Sequence, residues 1–455
     1  MHQRRDDTGR PRHGRRTFSA TAGRAAVGLA LLTTAAGCSE EPTNPGSTTG
    51  GAGGAGGAGG DGGLGGVGGQ LVDGDGDGYF GDTDCNDEDP YVHPAAIELC
   101  DGIDNNCDDE IDGPDSLNAV TWYRDQDGDG WGVVDQVIQA CEQPDGWVLE
   151  IGDCDDEVDT VYPGAPELCD LLDNDCDGFG DVPGAGVISP PWGPYYVMAD
   201  ASSGTSLRPS LHEIIHDHQF VPYTSMATDT WDILEAADEH PGDSAVILDI
   251  YRNAAYPKHG GGNMDYDREH VWPQSYLPDD ADHYPHTDCH HLFLADFGYN
   301  ASRGNLPFDV CGASCNERPT EVNANQGGGT GVYPGNSNWR KTGTWETWIK
   351  RRGDVARALL YMDVRYEGGT HGGTAHLEPD LILTDDPNLI VTTAATDTVA
   401  YMGILSTLLV WHCEDPVSPQ EIRHHETVYA HQGNRNPFVD HPEWAYCLFL
   451  DQCGP

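Results

Sequence analysis

A repeat of 29 residues with fixed cysteine positions constrains the fold of this chain more than any other feature. The first copy covers residues 84–112, the second covers residues 153–181, and the two align without a gap. In each copy the three cysteines are spaced 15 and then 7 residues apart: Cys85, Cys100 and Cys107, then Cys154, Cys169 and Cys176. Identical spacing in two copies predicts an ordered unit stabilised by its cysteines.

An acidic turn containing glycine precedes each copy. The turns read DGDGDGY and DQDGDGW, and they place aspartates at alternate positions: Asp73, Asp75 and Asp77, then Asp125, Asp127 and Asp129. Oxygen ligands at such positions, with glycine at the sharp turn, suit Ca²⁺. A full EF-hand loop is absent, because no glutamate flanked by helices occupies the twelfth position. The alternative is an acidic, disordered linker, but the matched cysteines favour order with bound Ca²⁺.

The two copies resemble the Cys- and Asp-rich metal-binding repeats of MopE-like bacterial surface proteins. The resemblance covers residues 71–182, with repeats at 71–112 and 122–181. It implies metal binding without identifying the metal. We therefore expect small irregular units that disulfides and metal ions stabilise.

Charge is distributed unevenly along the 455 residues, whose formal net charge is −53. Residues 71–185 hold 34 acidic residues against one basic residue, Arg124, whereas residues 186–455 hold 37 against 15. An acidic body repels a polyanion at long range, so bulk charge does not indicate nucleic acid as a partner. Contact with nucleic acid would need a local group of bases, because salt at 0.1 M screens fields beyond about 10 Å.

The N-terminus has the pattern of an export signal. Arg15 and Arg16 precede an apolar run from Ala25 to Ala36, which is too short to span a bilayer, and Cys38 follows small residues. Residues 1–38 resemble a bacterial twin-arginine signal ending in a lipobox. This implies lipidation of Cys38 and an anchor at the outer membrane or cell surface, with free secretion as the alternative.

A Gly-rich linker at residues 39–70 follows the signal. Thirteen cysteines follow Cys38, and disulfides are their default use in an exported chain. Their odd number leaves at least one thiol unpaired, metal-bound or intermolecular.

The composition of residues 190–455 is globular and predicts a helix-rich α+β domain. Periodic apolar residues predict helices in SLHEIIHDHQF, TDTWDILEAADE, TWETWIKRRGDVARALLYMDVRY and TDTVAYMGILSTLLVWH, and a buried strand in SAVILDIY. The segment SPQEIRHHETVYAHQG has a capping box, with Ser418 as cap and Glu421 third, and Gly433 closes the helix.

Residues 267–308 contain the side chains that phosphodiester hydrolysis needs. That reaction requires a base to activate water and a cation for the charge that develops on phosphate. A neutral His270 suits the base, while Glu269 and Asn300 offer oxygens to a hard divalent ion. TDCHHLFLAD lies between them and predicts a second short strand that leads into a helix. The predicted order is strand, loop, strand, helix.

This order, with four separate motifs, resembles the endonuclease I family of secreted, sugar-non-specific bacterial nucleases, which have a ββα-metal (His-Me finger) core. The motifs are YDREHVWPQSY, DCHHLFLADFGYNASRGNLPF, KRRGDVARALLYMDVRY, and WHCEDPVSPQEI with QGNRNPFVDHP. The resemblance implies that His270 is the general base and that Glu269 and Asn300 bind one Mg²⁺ (or Mn²⁺). It also implies cleavage of DNA and RNA to give 5′-phosphate ends. Neighbours on a regular strand face opposite sides, so a bulge or strand end must re-aim Glu269 or His270.

Arginines supply further candidates for substrate contact. Arg303 lies one helical turn after Asn300 and either holds the scissile phosphate or forms a structural salt bridge. Some relatives place a phosphate-stabilising arginine between the two strands, but residues 271–302 contain neither Arg nor Lys. Seven bases between residues 340 and 365, including Arg351, Arg352 and Arg357, predict a strip that binds phosphates, or else a solvated helix face.

The remaining histidines and one cysteine are assigned structural or surface roles. We expect His290 and His291 to stabilise the hairpin and Cys289 to pair or to pack as a small buried residue. His424, His425 and His431 are expected at the surface of a helix.

Together these features predict an exported, lipid-anchored, Mg²⁺-dependent endonuclease with a calcium-binding spacer and no specific protein partner. One alternative is a calcium-binding surface or adhesive protein whose nuclease-like domain is inactive. A zinc site is disfavoured, because the chain contains neither a CxxC pair nor an HExxH motif.

Overall fold

Two regions of different construction follow one another along the chain. The computed structural model describes residues 73–178, 180–181, 194–278, 284–312, 314–374, 376–394 and 396–453. The expected export signal, Cys38 and the Gly-rich linker lie outside these residues. Within them, no helix is both long and apolar enough to cross a membrane.

Disulfides rather than an apolar core hold the repeat region together. The first and third cysteines of each copy pair with each other, as Cys85–Cys107 and Cys154–Cys176. The middle cysteine pairs outside its copy: Cys100 bonds Cys141, and Cys169 bonds Cys413. The buried apolar side chains that the structure describes in residues 73–181 are Val92, Trp122, Val161 and Ala165. Such a small core needs covalent support.

A small sheet occupies the segment between the second acidic turn and the second copy. Its strands are β1 (Val120–Arg124), β2 (Trp131–Ala140), β3 (Trp147–Val148) and β4 (Glu150–Ile151). The strand order is β3-β1-β2-β4, with β4 parallel to the start of β2. This sheet was not predicted.

The C-terminal region is a helix-rich α+β domain, as predicted. The helices are α1 (Gly204–Ile215), α2 (Thr230–Ala237), α3 (Tyr284–Thr287), α4 (Phe297–Arg303), α5 (Arg352–Arg365), α6 (Leu405–Glu414), α7 (Pro419–Gln432), α8 (Pro437–Asp440) and α9 (Trp444–Leu450). A 3₁₀ turn covers Gln274–Tyr276.

Four small sheets accompany these helices. Their strands are β5 (Glu239–His240), β6 (Asp243–Leu248) and β7 (Ala255–Pro257); β8 (Tyr266–His270) and β9 (Leu292–Asp296); β10 (Asn316–Pro319), β11 (Ser337–Lys341) and β12 (Thr344–Glu346); and β13 (Asp380–Leu383) with β14 (Val399–Met402).

Helix α5 lies at the centre of the main hydrophobic core. Every one of its residues is buried, and its apolar side chains pack with Trp345, Trp411 and the apolar residues of α1, α6 and α9. Burial on all sides requires each charged residue of the helix to have a partner. This requirement determines the roles of its arginines.

Local signals predicted two helices well and a third in part. Helices α2 and α7 form where the periodicity indicates, and Ser418 caps α7 by accepting the N–H of Glu421. Helix α1 begins before the predicted segment SLHEIIHDHQF and already ends at Ile215. Gly433 ends α7 in the left-handed conformation, at φ 78°. Asp229 caps α2 in a capping box.

Two predicted helices were wrong in their first halves. TWETWIKRR begins with strand β12, whose Trp345 pairs with Arg340, and the helix starts only at Arg352. TDTVAYM forms strand β14, parallel to β13, before α6. In both cases pairing with another strand overrides the local helical pattern.

The thirteen cysteines within the described residues form six disulfides and leave one free thiol. Cys311–Cys315 and Cys447–Cys453 are short-range bridges, and Cys289 is buried and unpaired. Of the three uses left open for the odd cysteine, the structure shows an unpaired thiol, that of Cys289.

Candidate active site

Strands β8 and β9, followed by α4, form the predicted strand–loop–strand–helix unit. The two strands are antiparallel and regularly paired, with Glu269 opposite Phe293 and His270 opposite Leu292. The expected bulge is absent from this pairing, and His270 is the last residue of β8. A bulge or a strand end was expected to re-aim either Glu269 or His270, and the structure has the strand end.

The imidazole of His270 is held in one orientation. Its Nε2 lies 3.0 Å from the carbonyl oxygen of His286 in α3, so the ring donates from Nε2. The Gln274 amide lies 3.2 Å from the same nitrogen. Burial lowers the pKa of His270 well below its usual value, and repulsion from His291 adds to this effect. The neutral ring therefore has its lone pair on Nδ1, for which the described residues provide no hydrogen bond.

Glu269 is a buried carboxylate, 2 % exposed. Its Oε1 accepts a hydrogen bond from the Tyr251 hydroxyl (2.8 Å) and pairs with Nη1 of Arg303 (3.2 Å). Burial raises the pKa of Glu269 to about 7, while Arg303 and Tyr251 oppose the rise. Both contacts fall on Oε1, and the described part of the chain offers Oε2 no hydrogen bond.

Asn300 lies on α4 and contacts the backbone of β8. Its Nδ2 donates to the backbone carbonyl of Arg268 (3.2 Å), the residue before Glu269. This bond turns the amide so that Oδ1 remains for another partner. A carboxylate oxygen and an amide oxygen on adjoining elements are suitable donors for a hard divalent cation. The residues present therefore fit the expected metal.

Arg303 is fully enclosed, at 1 % exposure. Besides Glu269, its guanidinium donates to the carbonyls of His270 (3.1 Å) and Val271 (2.6 Å). These contacts favour the structural salt bridge over contact with the scissile phosphate. Arg303 positions Glu269 and the end of β8.

The three arginines of the basic strip that were expected to contact substrate are not at the surface, although Lys341 and Lys350 of the strip are exposed. Arg351, Arg352 and Arg357 are 5 %, 8 % and 0 % exposed. Their respective partners are Asp354, Glu346 with Glu414, and Glu421. The expectation that they bind substrate is corrected on this ground, because paired guanidiniums inside the core cannot reach a phosphate. These ion pairs neutralise the charged groups that are buried on α5 and around it.

Two of the three histidines expected at the surface are buried. His424 pairs with Asp238 (2.7 Å) and His425 with Asp440 (3.1 Å), whereas His431 is exposed as predicted. Helix α7 therefore packs by its polar face as well as its apolar one.

The two histidines of the DCHH segment have the structural contacts that were expected. His290 Nε2 lies 2.9 Å from the Asn434 carbonyl, and His291 Nε2 lies 2.7 Å from the Pro285 carbonyl. Helix α3 thus contacts His291 as well as His270.

Sequence reasoning missed Asp288, which anchors the entry to β9. Its Oδ2 accepts from the hydroxyls of Tyr361 (2.7 Å) and Tyr366 (3.0 Å), and its Oδ1 from Gln432 (2.9 Å) and the N–H of His290 (3.0 Å). It missed Tyr251 as well, which no local pattern connects to Glu269. Gln274, four residues after His270 in the same motif, was within reach of sequence reasoning.

Acidic clusters occur where the turns were predicted to bind metal. Side-chain oxygens of Asp73, Asp75 and Asp77 lie within 4.8 Å of one another, and so do those of Asp125, Asp127 and Asp129. A third group, Glu167 with Asp173 and Asp175, was not predicted.

Comparisons with known proteins agree with this geometry. Residues 84–113 and 153–181 match the MopE-type metal-binding motif, and residues 203–443 match the Endonuclease I family. The chain is 38 % identical over 254 residues to an extracellular ribonuclease of Bacillus amyloliquefaciens, across 55 % of this chain and 76 % of that protein. It is 36 % identical, with the same coverage, to an extracellular ribonuclease of Bacillus subtilis (strain 168). The chain belongs to the endonuclease I family.

Proposed function

We propose that this protein is an exported endonuclease that hydrolyses phosphodiester bonds of DNA and RNA, using His270 as general base and one Mg²⁺ (or Mn²⁺), and that it leaves 5′-phosphate ends. The observation that carries the proposal is the neutral, oriented imidazole of His270, next in sequence to a buried carboxylate with a free oxygen. The extracellular ribonucleases to which the chain is similar support a nucleic-acid substrate and export.

His270 removes a proton from the attacking water through Nδ1. Burial keeps the ring neutral, so the lone pair is available at neutral pH. As positive charge develops on the ring, the His286 carbonyl at Nε2 stabilises it and prevents rotation.

Glu269 and Asn300 would hold the cation through Oε2 and Oδ1. When bound, a divalent ion supplies positive charge for the phosphate and the leaving oxygen. Arg303 and Tyr251 fix the carboxylate through its other oxygen. The chain's own part is thus to orient one base and two oxygen donors on neighbouring elements.

We further propose that lipid on Cys38 anchors the protein at the cell envelope and that the repeats bind Ca²⁺ through Asp73, Asp75, Asp77, Asp125, Asp127 and Asp129. Labelling with palmitate tests the anchor, since Cys38→Ala should abolish incorporation and release the protein.

The nuclease is tested with the full chain on supercoiled plasmid and on single-stranded RNA. Mg²⁺ should support cleavage of both, and His270→Ala should reduce the rate by about 10²- to 10⁴-fold. His431→Ala, which removes an exposed histidine of α7, is the matched control. EGTA with excess Mg²⁺ removes Ca²⁺ selectively, whereas EDTA removes both ions, so the comparison separates the catalytic metal from the repeat metal.

The ends of the products test the remaining part of the proposal. Fragments that ligate without prior phosphorylation carry 5′-phosphates. A folded wild-type protein that cleaves neither substrate would contradict the nuclease, and the calcium-binding surface protein would become the better account.

A further inference from the structure

The two acidic loops before the repeat copies share one pattern of internal hydrogen bonds. Asp73 Oδ1 accepts from the N–H of Gly76 (2.6 Å), and Asp125 Oδ1 accepts from that of Gly128 (2.7 Å). The third and fifth residues of both loops also use Oδ1 to accept the N–H two residues further on. At the third and fifth positions one oxygen of each carboxylate therefore holds the turn, whereas Asp73 uses both, its Oδ2 accepting from the N–H of Gly78 (3.2 Å).

A buried aspartate follows each turn in sequence. Asp84 and Asp153, the first residues of the two copies, are each only 7 % exposed. Each uses Oδ1 to accept a backbone N–H, at 2.9 and 2.8 Å respectively. Their Oδ2 atoms are buried without a hydrogen-bond partner in the described structure, as are those of the third and fifth loop residues: Asp75, Asp77, Asp127 and Asp129.

The carboxylates that carry these oxygens repel one another. Burial raises the pKa of Asp153 to about 6, and repulsion from Asp129 and Asp127 adds to the rise. In the first copy, burial and then repulsion from Asp77 and Asp84 raise the pKa of Asp75. Buried carboxylate oxygens that converge without a donor are costly unless a cation joins them.

The two outside aspartates, Asp84 and Asp153, lie at different distances in sequence from the start of their loops. Counted from Asp73, Asp84 is the twelfth residue, which is where a calcium loop places its last ligand. Glutamate is absent there, as expected, and an aspartate stands in its place. Counted from Asp125, Asp153 is the twenty-ninth residue, so the second loop has seventeen additional residues.

Across this insertion the small sheet brings the chain back to the start of β2. Strand β2 leaves the loop at Trp131, the seventh position, and β4 comes back parallel to its start, with Trp131 opposite Glu150. The N–H of Gly152 then donates to the carbonyl of Gly132 (3.1 Å). Asp153 follows directly, and so arrives beside the loop as Asp84 does in the first copy.

We propose that each acidic loop and its outside aspartate bind one Ca²⁺, and that the second site is a calcium loop interrupted by a seventeen-residue β excursion. The first site consists of Asp73, Asp75, Asp77 and Asp84, and the second of Asp125, Asp127, Asp129 and Asp153. Four carboxylates in a turn of this kind suit Ca²⁺, which accepts six to eight oxygens in flexible geometry, better than Mg²⁺. The inference rests on the proposed metal binding of the repeats and identifies the ligand that closes each site.

Terbium luminescence tests the second site in the full chain after chelator treatment. Tb³⁺ replaces Ca²⁺ at oxygen sites, and Trp131 at the seventh position should sensitise it. Asp153→Asn should weaken this site by about tenfold or more, because the number of charged ligands sets affinity. Asp135→Asn removes an exposed carboxylate from β2 and should leave the affinity unchanged. Asp153→Glu keeps a carboxylate and should retain binding.

The outcomes separate the two levels of the proposal. A wild-type protein without Trp-sensitised, Ca²⁺-displaceable luminescence contradicts metal binding by the second loop itself. Wild-type binding, with Asp153→Asn equal to Asp135→Asn, contradicts only the returning ligand. If Asp153→Asn fails to fold, calorimetry of Asp84→Asn decides, since loss of one Ca²⁺ per chain supports the assignment and an unchanged stoichiometry and affinity overturn it.

Discussion

The Cys169–Cys413 disulfide is expected to contribute more to stability than any other single bridge that the structure describes. It links residues 244 apart in sequence and joins the second repeat copy to α6. In the chain-entropy account, closing a loop of this length removes about 5.5 kcal/mol of conformational freedom from the unfolded state at 25 °C. Cys311–Cys315, with a separation of 4, removes only about 2 kcal/mol on the same scale.

Replacing each pair by alanine therefore makes a controlled comparison. Cys413 and Cys311 are similarly buried, so the packing lost is comparable and loop length is the main difference. We expect Cys169→Ala/Cys413→Ala to lose about 3.5 kcal/mol more unfolding free energy than Cys311→Ala/Cys315→Ala. Equilibrium unfolding in guanidinium chloride, followed by tryptophan fluorescence without reductant, measures both. Equal losses, or a larger loss for the short bridge, would refute chain entropy as the source.

Three further predictions concern buried charges. Burial opposes ionisation of Asp440, but hydrogen bonds from His425 and Arg435 outweigh it and lower its pKa to about 2. The resulting stabilisation is at most about 2.5 kcal/mol. It is present above the pKa of the unfolded state, near 3.9, and is lost as pH falls through about 2. The difference in unfolding free energy between wild type and Asp440→Asn should therefore shrink between pH 6 and pH 2.5. Arg303→Lys keeps the charge but not the planar fork, so urea unfolding should show a loss of about 2–3 kcal/mol, and unchanged stability would contradict its positioning role. Asp288→Asn places an amide NH₂ against hydroxyl donors and should cost about 2–4 kcal/mol in the same assay.

Sequence predicts the elements whose causes are local. The cap at Ser418, the closing glycine at 433 and the apolar periodicity of α7 all act within one helix, and the structure reproduces them. The candidate base and metal ligands could likewise be identified, because each of them lies in a short sequence motif. Their roles remain proposals, although the structure places them on the predicted strand, strand and helix.

Contacts between distant segments are what sequence could not supply. The basic run around Arg357 reads as a surface because its partner Glu421 lies 64 residues away. The TDTVAYM segment reads as helical because its parallel strand partner, Asp380–Leu383, belongs to a separate, earlier segment. Asp153 is the clearest case. The twelfth position of the second loop, counted from Asp125, holds no carboxylate. The small sheet instead brings Asp153, seventeen residues further along the chain, back towards the loop.

The free thiol of Cys289 affects how this protein is inactivated. Cys289 is 0 % exposed, and burial raises its pKa well above the usual value, so in the folded protein this residue presents neither a thiolate nor access to one. Unfolding releases that thiol among six oxidised pairs, and it then becomes an internal catalyst of disulfide exchange. Heat inactivation at alkaline pH should therefore become irreversible as soon as the chain opens, and its half-life should equal that of unfolding. Serine at position 289 would turn the same event into one from which the protein recovers on cooling.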